Sequence, residues 1–252
     1  MPNTPMVSIV MPSYNCETFL EQAVRSVLAQ TEQNWELLIL DDASEDGTRA
    51  VAERLAGEDE RIRLICNEQN MGVARTRNRG FELCRGEFTA LLDSDDVWHP
   101  EKLERQLALL RRSGAALCYC AYEIIDENGQ PVRAPYTVPE QVGFEDLLKE
   151  NVISCSTVVL RRDISQAYRF DPGYYHEDYV LWLRLLKDGH RAVGCPETLA
   201  AWRLNPGSRS FNKLKSAQNR WKIYRNHLKL PFFKSLSAFA AYAVAGFRKY
   251  RQ

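Results

Sequence analysis

The feature that most narrows the fold of this chain is an alternation running through its first half. Short, mainly apolar runs at Val7–Met11, Trp35–Leu40, Arg61–Cys66 and Phe88–Leu92 are separated by segments with helical spacing. In Glu17–Gln30 the pairs Phe19/Leu20, Ala23/Val24 and Val27/Leu28 fall on one face of a helix. Ser44, ahead of Asp46-Gly47, is expected to cap a helix reaching about Ala56. Gly72–Cys84 reads as a third helix stopped at Gly86, Pro100 opens a fourth to about Arg112, and Ala115–Tyr122 is a further strand. Buried strands alternating with helices make an α/β fold with a mostly parallel sheet flanked by helices on both faces. Ligands of such sheets bind beyond the carboxyl ends of the strands. Pro12-Ser13-Tyr14-Asn15, Asp41-Asp42 and Asp93–Asp96 all follow strands in this way, so topology alone expects them on one rim.

The pattern loosens after Glu123. Glu127-Asn128-Gly129 signals a hairpin, Ser156–Leu160 and Thr198–Arg203 read as strands, and Glu177–Lys187 reads as an amphipathic helix stopped by Gly189. The 252 residues fit one large domain with an appendage. The expected division is a domain over 1–205, with a ligand half of about 1–112 and an acceptor half of about 113–205, followed by a helical basic tail over 206–252. The net charge is zero, yet no acidic residue follows Glu197, while 198–252 holds 12 Lys and Arg. An acidic body with a basic tail implies two different partners. The seven scattered cysteines lack metal-knuckle spacing and are expected to be reduced and mostly buried, as suits a cytosolic protein. No signal peptide is evident, and the longest apolar stretch, Leu236–Phe247, falls short of the roughly 20 residues a membrane span needs.

Three clusters carry the chemistry. Asp93, Asp95 and Asp96 place three carboxylates within four residues. Such acids repel one another unless a hard divalent cation such as Mg²⁺ or Mn²⁺ joins them. Alternatively they form a solvated loop favouring the N-terminus of the next helix. A carboxylate at Asp41-Asp42 suits the N3–H of uracil or thymine, with Tyr14 as a stacking surface; the plainer reading is an acidic turn. In Asn70–Asn78 a glycine, Gly72, opens a helix whose N-terminus favours anions, and Arg75 or Arg77 would contact phosphate or hold the nearby acids. Arg79 is expected on a solvated basic face. Glu177-Asp178, after Tyr174-Tyr175-His176, begins a helix where acids also occur for dipole reasons alone. The chain lacks a G-x-G-x-x-G fingerprint, a phosphate-binding P-loop and a G-x-S-x-G elbow, and its four histidines include no i,i+4 pair.

Taken in order, Val7–Asn15, Leu38–Asp42 with Ser44–Thr48, Asn70–Gly80, Leu91–Asp96 and Glu177–Leu183 resemble glycosyltransferase family 2 of the bacterial polysaccharide and lipid-linked glycan type, with its GT-A fold. The resemblance spans about residues 7–205. It implies that Pro12, Tyr14, Asn15, Asp41, Asp42, Gly72, Arg77, Asp93 and Ser94 bind a nucleotide sugar. Asp95 and Asp96 would hold Mn²⁺ or Mg²⁺. Asp178, beside Glu177, would be the general base of an inverting transfer from a UDP- or TDP-sugar to a glycan or lipid-linked acceptor. Many members carry an Arg-x-His element near the domain end; this chain has Arg203-Leu204-Asn205, so Asn205 is the weaker metal ligand expected there.

In the tail, Leu214, Ala217, Trp221, Tyr224 and Leu228 form one helical stripe, and after Pro231 a second apolar segment ends in Arg248-Lys249-Tyr250-Arg251. This reads as an interfacial anchor on anionic lipid, placing the protein peripherally on the inner face of the cytoplasmic membrane. The alternatives are packing on the acidic domain or a homo-oligomer. A nucleic-acid partner is not expected, since no reader fold accompanies the charge. Two rival functions stay open: a nucleotidyltransferase, which would want a glycine-rich basic loop where Pro12–Cys16 stands, and an inactive nucleotide-sugar or carbohydrate-binding subunit.

Overall fold

A computed structural model describes residues 5–204 and 213–249. Along the chain the elements are β1 (Val7–Ser13), α1 (Glu17–Leu28), β2 (Trp35–Asp41), α2 (Thr48–Glu58), β3 (Ile62–Cys66), α3 (Val73–Leu83), β4 (Phe88–Leu91), β5 (Val97–Trp98), α4 (Lys102–Ser113), β6 (Leu117–Ile125), β7 (Pro131–Tyr136), β8 (Gln141–Val142), α5 (Phe144–Lys149), β9 (Val159–Arg161), α6 (Arg162–Ala167), α7 (Glu177–Lys187), β10 (Ala192–Arg203), α8 (Lys213–Lys222) and α9 (Phe232–Lys249). One sheet joins the strands in the order β3-β2-β1-β4-β9-β6-β10-β5, with β7 added on β6 and β8 on β10. β3, β2, β1 and β4 are parallel neighbours, and β6 and β10 are parallel to each other. β9 runs antiparallel between β4 and β6, so the strands on either side of it point the same way.

The period of two along each strand divides its side chains between two apolar layers. Val7, Ile9 and Met11 of β1, with Leu37 and Ile39 of β2, face the layer that holds Leu20, Val24, Leu103 and Leu107. Val10, Leu38 and Leu40 face the opposite layer with Phe81, Tyr179 and Trp182. Both sheet faces are covered, which is why these strands read as unbroken apolar runs. Each such side chain contributes about 1.5–3 kcal/mol on burial.

Parallel pairing aligns the strand ends. Ser13 is in register with Asp41 and Val10 with Leu91, so the segments after β1, β2 and β4 emerge on one edge. The Asp42 amide donates to the Ser13 carbonyl (2.8 Å), and the Asn67 amide donates to the Asp41 carbonyl (2.8 Å). α3 lies close against the sheet because Gly80 has no side chain: a Cβ there would stand 2.4 Å from Val10 Cγ1.

Several local expectations are corrected. α2 starts at Thr48 with Gly47 at its N-cap, because Ser44 Oγ accepts from the Asn15 amide instead. Gly86 lies beyond the end of α3, in a turn where a Cβ would meet the Ser8 nitrogen at 2.6 Å. The run 156–160 is split between a 3₁₀ turn, Cys155–Thr157, and β9. The last strand begins at Ala192, earlier than Thr198, and β5, β7, β8, α5 and α6 add to the expected elements. Arg79 is not simply solvated: its guanidinium binds the Cys66 carbonyl (3.0 Å) and Asn67 Oδ1. All seven cysteines are free, and six are buried.

The segment beyond residue 205 shares the core. Ile223, Tyr224, Leu228 and Leu230 join the apolar layer of Trp182. The face of α8 that is buried is Ser216, Asn219 and Arg220, continued by Ile223 and Tyr224, whereas Leu214 is exposed. The expected stripe is thus turned away from the domain at its start, and Trp221 packs edge-on against Phe232 and Phe239 of α9. Among the described residues no helix is long and apolar enough to cross a membrane.

Candidate active site

A cleft of about 520 Å³ opens on the common edge, lined by Pro12, Ser13, Tyr14, Asp42, the loop Asn70–Gly72, the first turn of α3, Pro172, Tyr174 and Glu177. Its size is that of a small-molecule site. β1 delivers Pro12 and Tyr14, and the Tyr14 ring is 46% exposed, a free face at the mouth. Asp42 is buried and organises the far wall. Its Oδ1 accepts from Asn67 Nδ2 (2.6 Å) and the Met71 amide (2.9 Å), and its Oδ2 accepts from the Gly72 amide (2.8 Å). Gly72 takes φ +81°, a conformation that disfavours side chains, and so turns the loop into α3.

Neighbouring positions are spent differently. Asn15 uses its side chain on the Glu45 amide (2.9 Å) and takes φ +48°, so it shapes the turn behind Tyr14 and does not line the cleft. Asp41 is buried, with Oδ2 facing the Ser44 amide at 3.4 Å and Oδ1 without a hydrogen-bond partner among the described residues. Ser94 is buried and its carbonyl accepts from the Cys16 thiol (3.3 Å).

Arg77 joins the two halves of the site. It is 4% exposed, and its Nη2 binds Asp93 Oδ1 (2.5 Å) while its Nη1 binds Glu177 Oε1 (2.8 Å). Of the two roles open to Arg77, contact with phosphate or holding nearby acids, its contacts are of the second kind. One buried guanidinium thus ties the acidic loop after β4 to the first turn of α7, across a sequence separation of 100 residues. Asp178, next in the chain, is half-buried. Burial pushes its carboxyl up and Arg77 pulls it back down; Asp93 and Arg220 also act on it, in opposite senses.

In the acidic loop, Asp95 is pushed up to about 6, chiefly by burial and then by the Asp93 charge. Asp96 is raised further by burial and by both neighbours. Asp96 is 1% exposed and spends both oxygens inside the fold, accepting from Ser156 Oγ (2.5 Å) and the Arg203 amide (2.9 Å). Asp95 is therefore better placed than Asp96 to meet a cation. Asn205 lies outside the described residues. Among the described residues no three Asp, Glu, His or Cys side chains converge to cage a metal. The donor set nonetheless fits a hard divalent ion: carboxylate oxygens whose mutual repulsion raises their proton affinity, with room left for the oxygens of a bound diphosphate.

The profile of Glycosyl transferase family 2 matches residues 8–169. The chain belongs to glycosyltransferase family 2. It is 37% identical to TuaG of Bacillus subtilis (strain 168), named as a teichuronic acid biosynthesis glycosyltransferase, over 97% of each chain. It is also 37% identical to WfgD of Escherichia coli, a UDP-Glc:alpha-D-GlcNAc-diphosphoundecaprenol beta-1,3-glucosyltransferase, with 97% of this chain and 95% of that one covered. The fold is shared with S. aureus TarS 1-349, solved in complex with UDP-GlcNAc, at a TM-score of 0.75 and 18% identity over 94% of this chain and 71% of that one.

Three groups at this glycosyltransferase's site escape a reading of the sequence. Ser156 accepts from the Asp93 amide (3.1 Å) while donating to Asp96, so one hydroxyl holds both ends of the acidic loop. Arg203 is buried and clamps the same loop, through Nε to the Asp95 carbonyl (2.8 Å) and Nη2 to Gln22 Oε1 (2.5 Å). Arg220 reaches the site from α8. A lone serine in a weakly patterned segment carries no signal. Arg203 offered one, as the only basic residue in a strand that is otherwise largely apolar.

Proposed function

We propose that this glycosyltransferase moves a sugar from a UDP- or TDP-sugar to a glycan or lipid-linked acceptor in bacterial surface polysaccharide synthesis, with inversion at the anomeric carbon. The observation that carries this is the Arg77 bridge, which sets the acidic loop and the Glu177-Asp178 turn on one cleft. In this reading the base lies near Tyr14 and Pro12, with Asp42 on the wall behind, and the diphosphate lies toward Asp93 and Asp95. The acidic wall of Asp42 suits a base that carries an N3–H, hence uracil or thymine. Mn²⁺ or Mg²⁺ held by Asp95 would neutralise charge gained by the departing nucleoside diphosphate. Asp178 takes the proton from the acceptor hydroxyl, which attacks the anomeric carbon from the side opposite the diphosphate, and one displacement inverts that centre. Glu177, fixed by Arg77, orients the turn that presents Asp178. The names of TuaG and WfgD, covered almost end to end, support a polysaccharide or lipid-diphosphate acceptor. An acceptor buried in a bilayer fits the exposed apolar row on α9 and a peripheral position on the inner face of the cytoplasmic membrane.

The test is Asp178→Asn. General base catalysis contributes about 10²–10⁴-fold, so transfer is expected to fall by at least that lower bound while UDP binding, measured by calorimetry with Mn²⁺, stays within about twofold of wild type. Wild-type turnover in the variant would remove Asp178 from this role.

A further inference from the structure

α8 reaches the turn that carries Asp178 from three sides. Asn219, itself buried, accepts from the Tyr175 amide through Oδ1 (2.9 Å). Lys222 Nζ donates to the Gly173 carbonyl (2.9 Å) and lies 5.0 Å from the Tyr174 ring centre. The Arg220 guanidinium carbon sits 3.6 Å from the ring centre of Tyr179, the residue following Asp178, and 4.4 Å from that of Tyr242 on α9. Arg220 is 5% exposed, and its Nε and Nη1 have no hydrogen-bond partner among the described residues. A buried cation of this kind is costly unless something compensates it. Two aromatic faces supply part of that compensation, since cation–π contacts reach about 2 kcal/mol when desolvated. The Tyr179 hydroxyl is held in turn by the Leu147 carbonyl (3.0 Å), and the Tyr224 hydroxyl by the Leu148 carbonyl (2.5 Å), so the rings are fixed from behind by α5.

We propose that α8 is the positioning element for the catalytic base: Arg220, stacked between Tyr179 and Tyr242, and Asn219, bonded to Tyr175, hold the 173–178 turn so that the Asp178 carboxylate faces the cleft. Arg220 is a positioning residue here; its contacts are to the rings and the turn, and the substrates lie on the other side of α7. The charge of Arg220 also favours the ionised form of Asp178, as does that of Arg77 from α3, against Asp93. Glu177 and the buried thiol of Cys155 lie in the same field. The inference rests on Asp178 acting as the base, and it adds that the C-terminal helices belong to the catalytic machinery of the full chain.

The test uses the full-length chain, with the UDP-sugar and diphospholipid acceptor on which wild type turns over, and UDP plus Mn²⁺ as the binding probe. Arg220→Met is expected to lower kcat at least tenfold with the donor KM and UDP Kd within twofold, and Arg220→Lys, which keeps a cation over the rings, to recover part of the loss. Amide hydrogen exchange, which needs no substrate, is expected to quicken at Tyr174–Tyr179 and to stay unchanged in β1, β2 and β4. If Arg220→Met fails to fold, Asn219→Ala removes a single hydrogen bond and is expected to show the same kcat-only loss and the same local exchange. Wild-type kcat together with wild-type exchange in the folded variant overturns the proposal. A dead Asp178→Asn beside a fully active Arg220→Met sinks the positioning role alone; an active Asp178→Asn sinks the base assignment whatever Arg220 does.

Discussion

At Asp95, burial and the neighbouring Asp93 carboxylate both oppose ionisation, and the carboxyl is pushed up to about 6. Asp96 is displaced in the same direction for the same reasons. A carboxyl whose folded pKa lies above its unfolded value favours the native state while it is protonated in the fold. That contribution is complete below about pH 4 and is lost as the pH rises through about 6. Above that point the ionised loop costs the native state free energy, and a bound divalent cation relieves it. Mn²⁺ is therefore expected to raise Tm more at about pH 7.5 than at about pH 5, where protons compete for the same oxygens. A site filled at about 100 times its Kd contributes about 2.7 kcal/mol, or about 5–10 °C for a chain of this size. Thermal unfolding at the two pH values, with and without Mn²⁺, checks this. Equal shifts at both would place the ion away from Asp95.

At the scale of single elements, α3 carries the most consequence per residue. It enters through Gly72 and brings Arg77 to the rim because Gly80, three residues on, lets its backbone press against β1. The value of that close approach can be weighed. Alanine is a better helix former than glycine by up to about 1 kcal/mol. Overpacking a tight contact costs about 1–3 kcal/mol. With a Cβ at 2.4 Å from Val10 Cγ1 and 3.2 Å from Leu40 Cδ1, the clash prevails. Gly80→Ala is expected to lower Tm by about 3–6 °C and to weaken transfer by moving Arg77 away from Asp93 and Glu177. Circular dichroism melting together with the transfer rate measures both, and an unchanged Tm would mean that β1 yields without cost. The same contacts explain how α7 keeps two acids in its first turn. Glu177 is paired with a buried arginine, which offsets the desolvation that an isolated carboxylate there would suffer.

For the molecule as a whole, the acidic body and basic C-terminus are not two separate objects. The described part of the C-terminal segment supplies Ile223, Tyr224 and Leu228 to a core layer, so deleting it would open that core and say little about membranes. The outer side of α9 is different: Phe232, Phe233, Leu236 and Val244 are 52%, 82%, 48% and 53% exposed, an apolar row beside basic residues. Such a row suits the interface of an anionic bilayer. Replacing Phe232, Phe233 and Leu236 together by serine is expected to cut flotation with phosphatidylglycerol vesicles at least tenfold, since each buried side chain is worth about 1.5–3 kcal/mol. Tm should stay near wild type because these side chains touch little of the core. Unchanged flotation would remove α9 as the anchor.

How much of this was legible beforehand follows from the range of the forces involved. The first four strands and the three helices among them were readable because hydrophobic period and turn chemistry are local, and parallel pairing then put Tyr14, Asp42 and Asp93 on one edge. Glu177–Lys187 was readable for the same reason. The weaker elements of the second half were not: β7 is exposed along its length and α5 spans only six residues, so neither has a period long enough to stand out. The partners of each acid were beyond reach as well. Whether Asp96 faces a cation or Ser156, whether Arg77 meets phosphate or Glu177, and whether Arg220 is a solvated tail charge or a buried clamp all depend on contacts between residues dozens to a hundred positions apart. The order of residues settled the fold and the acids at its rim, because those follow from neighbours in the chain. The division of those acids between structure and chemistry was decided by tertiary packing, because burial and the nearest opposite charge, which set a carboxylate's behaviour, exist only once the chain has closed on itself.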